Sequence, residues 1–137
     1  MIIEVGLKSC KTTIVTTETT AEHMLSGQLP VYATPSLIAF VEYTCEESVR
    51  PYLDDGFGTV GTLVDIRHLA ASPIGAHIRC ESELIEIDRK RLVFSVRVHD
   101  DFELVGEGRH ERFIISNERF MAKIDDKLSK LAYGQQS

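Results

Sequence analysis

Four residues within Val31–Gly75 have the types and spacing that acyl transfer needs. Thr34 offers a hydroxyl, Glu42 a carboxylate and His68 an imidazole. Gly61 follows Gly56 and Gly58 in a glycine-spaced turn, where backbone amides can approach a ligand. Glu42 is flanked by Val41 and Tyr43, with Ile38, Cys45 and Glu46 one turn away. An unpaired carboxylate in apolar surroundings resists ionisation, which suits a general base or a nucleophile. The competing reading is a solvated helix face or a structural hydrogen bond. Eight residues of helix turn through about 80°, so Thr34 and Glu42 are expected to look toward one cleft.

The other three residues have equally plain alternatives. Thr34 fits the N-cap of a helix opened by Pro35, whose missing N–H costs nothing there. His68 ends an apolar run, where it can take or orient a proton near neutral pH or simply be hydrogen-bonded. Gly61, between Val60 and Thr62, reads as a bulge or as the close approach of an amide to a carbonyl oxygen. Cys45 has no histidine locally paired with it and reads as packing. His77, His99 and His110 fall on later strands and are assigned no role.

The elements that must position these groups follow from periodicity. Residues Ile2–Val15 alternate weakly and predict a first strand, and Thr16–Leu29 a short helix or a loop over the site. Helical spacing of Leu37, Val41, Thr44/Cys45, Ser48/Val49 and Tyr52 predicts a helix from Pro35 to about Tyr52, ended by Asp54-Asp55-Gly56. It is nearly apolar all round at first, so a curved sheet is expected to wrap it. Four strands follow: Thr59–Ala70, Ala76–Ile87, Arg91–His99 and Glu103–Ile115. The connections Ser72–Gly75, Asp88–Lys90 and Asp100–Asp101 are short enough for antiparallel neighbours. Asn117–Leu131 reads as a C-terminal helix with Phe120, Ile124, Leu128 and Leu131 in a stripe, and Gly134–Ser137 as a frayed end. The pattern is α+β: a five-stranded antiparallel sheet around one long central helix, the hot-dog arrangement. A two-fold homodimer would cover its exposed edge strand.

Composition bounds the partners. The 137 residues suit a single domain spanning 1–137, with 43% hydrophobic and 26% charged residues. A net charge of −6 argues against a general nucleic-acid binder. No apolar run reaches the ~20 residues of a membrane span, and Met1-Ile-Ile-Glu opens no signal peptide. The expected location is the cytoplasm. Three cysteines, Cys10, Cys45 and Cys80, match no metal spacing and suggest free thiols.

Several segments together resemble the fluoroacetyl-CoA thioesterase family of hot-dog proteins. They are Tyr32-Ala-Thr-Pro, Val41-Glu-Tyr-Thr-Cys, Pro51-Tyr-Leu, Gly58-Thr-Val-Gly-Thr, Arg67-His-Leu-Ala-Ala-Ser-Pro-Ile-Gly, Arg91-Leu, Val98-His-Asp, Gly106-Glu-Gly-Arg-His-Glu-Arg and Phe120-Met-Ala-Lys. The resemblance implies a dimer whose ligand lies at the subunit interface. It places the family's catalytic Thr, Glu and His on Thr34, Glu42 and His68, and its substrate-contacting glycine on Gly61. Leu29 and Tyr32 are taken as further substrate-binding positions. Where the fluoroacetyl-specific enzyme has an aromatic gate, this chain has Gln28-Leu29-Pro30, and Pro35 replaces a glycine. The implied activity is hydrolysis of a small acyl-CoA thioester. No metal or redox cofactor is expected, and coenzyme A is counted as part of the substrate. Arg67, Arg79, Lys90, Arg91, Arg119 and Lys123 are candidates for its phosphates. The second reading is a non-catalytic hot-dog module that binds an acyl-CoA or related ligand. A hydratase is the third, but its Asp/His signature is not apparent.

Overall fold

The computed structural model describes residues 1–134. Its elements run β1 (Lys8–Ile14), a 3-10 turn at Thr17–Thr19, α1 (Thr34–Val49), a 3-10 turn at Arg50–Tyr52, β2 (Phe57–His68), β3 (His77–Asp88), β4 (Arg91–His99), β5 (Leu104–Ser116) and α2 (Asn117–Gly134). The five strands form one antiparallel sheet in the order β1-β3-β4-β5-β2. This is the expected hot-dog architecture. The expected frayed end is partly helical, since α2 includes Gly134, and residues 135–137 lie outside the described residues.

The alternation of β3 and β4 is what seats α1. Ile78, Cys80 and Leu84 of β3 and Leu92, Phe94, Val96 and Val98 of β4 are buried, joined by Val105 of β5. From the helix come Leu37, Val41, Cys45 and Val49, all fully buried at four-residue intervals. Each such aliphatic side chain contributes about 1.5–3 kcal/mol relative to exposure. The sheet covers only one side of α1, because Ala39 and Tyr43 on the other side are exposed. No described helix is long and apolar enough to cross a membrane.

Four details differ from expectation. Ala33, not Thr34, is the N-cap of α1: its φ/ψ are extended and its carbonyl accepts the Leu37 N–H at 3.0 Å. The α-helix stops at Val49, because Pro51 has no N–H to give and crowds the carbonyl four residues back, so the last turn is 3-10. β1 starts at Lys8, after a turn at Gly6 with φ +100°. Finally, β2 and β3 are not neighbours. β3 already pairs with β1 and β4, so β2 crosses to the free edge of β5 and Ser72–Gly75 belongs to a crossover. That crossover is what brings the end of β2 against the start of α1.

Candidate active site

Thr34 opens α1 and His68 closes β2, and their side chains meet, with Thr34 Oγ1 2.8 Å from His68 Nδ1. Because Ala33 takes the capping position, the Thr34 hydroxyl makes no cap bond and is committed to the imidazole. Tyr32 fixes the ring from the side. It is buried, gives its O–H to the Ser36 carbonyl at 3.3 Å, and meets His68 edge-on at 6.5 Å between centroids. Burial pushes the Tyr32 phenol far up, so it stays protonated. Burial also holds His68 below the usual imidazole range, with the Ala70 backbone acting in the opposite sense. His68 is therefore neutral near pH 7. Its Nε2 is buried and has no hydrogen-bond partner among the described residues. Thr34, His68 and Tyr32 line a depression of about 320 Å³ with Ala21, Ser26, Val31 and residues 69–71.

Glu42 lies elsewhere on the helix, against Gly61. A Cβ on Gly61 would stand 2.8 Å from Glu42 Oε2, 3.3 Å from His110 Cε1 and 3.5 Å from Arg112 Nη1. Four groups thus converge where only hydrogen fits. The strand register explains the approach: β2 and β5 slip between Gly61 and Leu63, so Gly61 faces Arg112 while Leu63 faces Glu111. The bulge reading of Gly61 holds, and what crowds the glycine is the Glu42 carboxylate.

Glu42 is not the unpaired carboxylate of the apolar reading. Arg112 Nη1 lies 3.8 Å from its Oε2, and the carboxylate side chain remains 41% exposed. Arg112 itself is buried, and burial opposes its charge. It donates from Nε to Thr59 Oγ1 at 2.8 Å, from Nη2 to the Thr59 carbonyl at 2.9 Å, and from Nη1 to His110 Nε2 at 3.1 Å. His110 is fully buried, and its Nδ1 lies 2.8 Å from the Leu63 carbonyl. A carbonyl only accepts, so Nδ1 carries the proton and Nε2 is the acceptor for Arg112. Burial holds His110 below its usual range, the Leu63 carbonyl and Glu42 oppose this, and Arg112 reinforces it.

The expected residues therefore form two pairs, Thr34–His68 and Glu42–Gly61, about 12 Å apart along the axis of one α1. Leu29 is 64% exposed and stands outside the depression, its carbonyl accepting the Glu22 N–H. Arg112 and His110 were assigned no role from sequence. The available signal was their spacing: two residues apart on a strand, they share its inward face, and a buried polar pair there needs partners. Cys45 is buried, as expected for packing, and burial pushes its thiol far up. Of the basic residues, Arg91 is held by Glu86 and Glu111 and Arg79 by Glu81, whereas Arg67, Lys90, Arg119 and Lys123 form no ion pair among the described residues.

A five-stranded antiparallel sheet packed on one long helix, followed by a C-terminal helix, is the hot-dog fold of a class of thioesterases. The comparisons agree. The family model described as fluoroacetyl-CoA-specific thioesterase matches residues 15–118. A fluoroacetyl-CoA thioesterase of Streptantibioticus cattleyicolor is 36% identical over 97 residues, covering 71% of this chain and 70% of its own. A solved fluoroacetyl-CoA thioesterase superimposes with a TM-score of 0.87 at 31% identity, over 93% of this chain and 98% of that one. A thioesterase superfamily member from Thermus thermophilus gives 0.90 at 25% identity, over 96% and 98%. The chain belongs to the fluoroacetyl-CoA thioesterase family, and its enzyme class is thioester hydrolase.

Proposed function

We propose that the protein hydrolyses a small acyl-CoA thioester to the free acid and CoA, using its own side chains and no metal or redox cofactor. The observation that carries this reading is the 2.8 Å contact between Thr34 and His68 in the lining of a small depression. Thr34 and the Gly61 amide would steady the oxygen that gains charge as the carbonyl is attacked. Glu42 would either attack, giving a transient anhydride, or activate water. His68 would move the proton. Related structures contain acetyl-CoA, or fluoroacetate with CoA, and this supports a short acyl group here. Without an aromatic gate at Gln28-Leu29-Pro30, we expect this chain to discriminate less for the fluorinated acyl group.

About 12 Å separates the two pairs on one subunit, more than one thioester carbonyl can bridge. We infer that the protein works as a cytoplasmic homodimer in which each site draws one pair from each subunit. Leu63 and Val64 on the open edge of β2 are 42% and 40% exposed, which fits an edge joined to a second copy.

Two experiments test these points. Thiol release is measured from acetyl-, fluoroacetyl-, medium-chain and aromatic CoA esters. Silence on all four would overturn the proposed substrate class. Thr34→Ala and Glu42→Ala are then coexpressed. Shared sites predict recovery to about a quarter of wild-type activity, since half the dimers are mixed and each keeps one intact site. No recovery would mean that each site is built within one chain.

A further inference from the structure

We propose that His110 is a positioning residue that holds the Arg112 guanidinium back from Glu42. Arg112 has three neutral acceptors, the Thr59 hydroxyl, the Thr59 carbonyl and His110 Nε2, and Glu42 is its ion-pair partner among the described residues. All three neutral contacts are hydrogen bonds of 2.8–3.1 Å, while the nearest carboxylate oxygen is 3.8 Å away. An arginine left to itself closes on a carboxylate through two parallel hydrogen bonds. That fork would tie up both Glu42 oxygens and spoil a base or nucleophile. The His110 lone pair takes the Nη1 proton that would otherwise turn to Glu42. The charge stays close enough to attract, and the oxygens stay free for chemistry.

The bulge in β2 makes this possible. The Leu63 carbonyl takes the Nδ1 proton and so fixes the tautomer that leaves Nε2 bare toward Arg112. A protonated His110 would set N–H against N–H and release the guanidinium. The other groups that act on this pair are Glu42, Glu46 and Cys45 from α1 and Glu111 from β5. None of them provides an acceptor in place of the ring among the recorded hydrogen bonds.

The role rests on Glu42 acting in the proposed hydrolysis, so the test includes a readout independent of turnover. Asparagine in His110→Asn keeps a donor near Nδ1 but loses the acceptor near Nε2, and glutamine in His110→Gln restores the latter. We expect His110→Asn to lower kcat on the best ester of the panel about tenfold or more, with KM little changed, and His110→Gln to recover much of it. Carboxyl-carbon NMR should show the Glu42 titration moving to lower pH in His110→Asn as Arg112 closes on it. Histidine nitrogen NMR of the wild type should show the Nδ1–H tautomer. Wild-type kcat and an unmoved Glu42 titration in His110→Asn, or an Nε2–H tautomer in the wild type, would overturn the assignment. A structural role alone would lower the melting temperature of both variants and leave the Glu42 titration in place. If no ester is hydrolysed, the proposed function falls, and the two NMR measurements still decide the placement of Arg112.

Discussion

Gly61 and Glu42 touch across the gap between edge strand and helix: a methyl group at position 61 would lie 2.8 Å from Glu42 Oε2. Gly61→Ala therefore displaces the carboxylate rather than the backbone, because Glu42 is a flexible side chain with open solvent beside it. A displacement near 1 Å at a reacting group costs on the order of a hundredfold in rate. We expect kcat to fall about tenfold to a hundredfold while the melting temperature stays within a few degrees of wild type. A Gly61→Ala enzyme with normal kcat would show that the carboxylate need not stand there.

Thr34 gives a cleaner separation of stability from chemistry. Removing a side chain that caps a helix costs about 1 kcal/mol. Thr34 does not cap α1, and its hydroxyl bonds His68 instead. Thr34→Val loses only an exposed hydrogen bond, whose His68 partner can turn to water, so stability should drop by about 0.5 kcal/mol, below the capping value. Its kcat should fall at least tenfold, and Thr34→Ser should restore most of the loss. A denaturant titration beside the kinetics checks both halves; a loss near the capping value would return Thr34 to the cap.

The contrast between β4 and the β2–β3 crossover shows what the chain's pattern could and could not tell. β4 alternates Leu92, Phe94, Val96 and Val98 against Val93, Ser95, Arg97 and His99, and its observed bounds, Arg91–His99, are those expected. Sheet order is a different kind of information. Ser72–Gly75 looks like a hairpin locally, and only competition for the edges of β3 and β5 sends β2 across the sheet. The same limit applied at the site. Thr34, Glu42, Gly61 and His68 were visible as residue types, but the local capping rule gave Thr34 the wrong duty. The rotation argument for Thr34 and Glu42 counted angle and neglected about 12 Å of rise. Arg112 and His110 were hidden because their partners, Thr59, Leu63 and Glu42, lie about fifty to seventy residues away, a matter of strand register rather than local spacing.

Two neutral histidines make stability depend on pH in a defined direction. Burial holds both His68 and His110 below the ordinary value of 6.5. As pH falls below 6.5, the unfolded chain binds protons that the folded chain refuses, so stability drops; it levels off once pH passes the depressed folded values. Above 6.5 both states are neutral and the contribution is constant. Glu111, held low by Arg91, weakens the fold only below its ordinary value of 4.5. Melting temperatures between pH 8 and about pH 5 should therefore fall in the histidine window, and His110→Gln should flatten that fall. A flat wild-type profile would contradict neutral burial of both rings.

Arg112→Lys is the most informative charge-conserving change, because geometry rather than charge does the holding. The guanidinium reaches the Thr59 hydroxyl, the Thr59 carbonyl and His110 Nε2 from three different nitrogens. A single ammonium cannot reproduce that fork, so at least one buried acceptor loses its donor, at about 1–3 kcal/mol. For a domain of this size such a loss lowers the melting temperature by about 3–10 °C. The free ammonium would also be drawn onto Glu42, the nearest carboxylate. We expect Arg112→Lys to combine lower stability with a kcat reduced about tenfold or more, even though the charge beside Glu42 is unchanged. Stability and kcat at wild-type levels would mean that a positive charge at this position is sufficient and that the three neutral acceptors do not set its place.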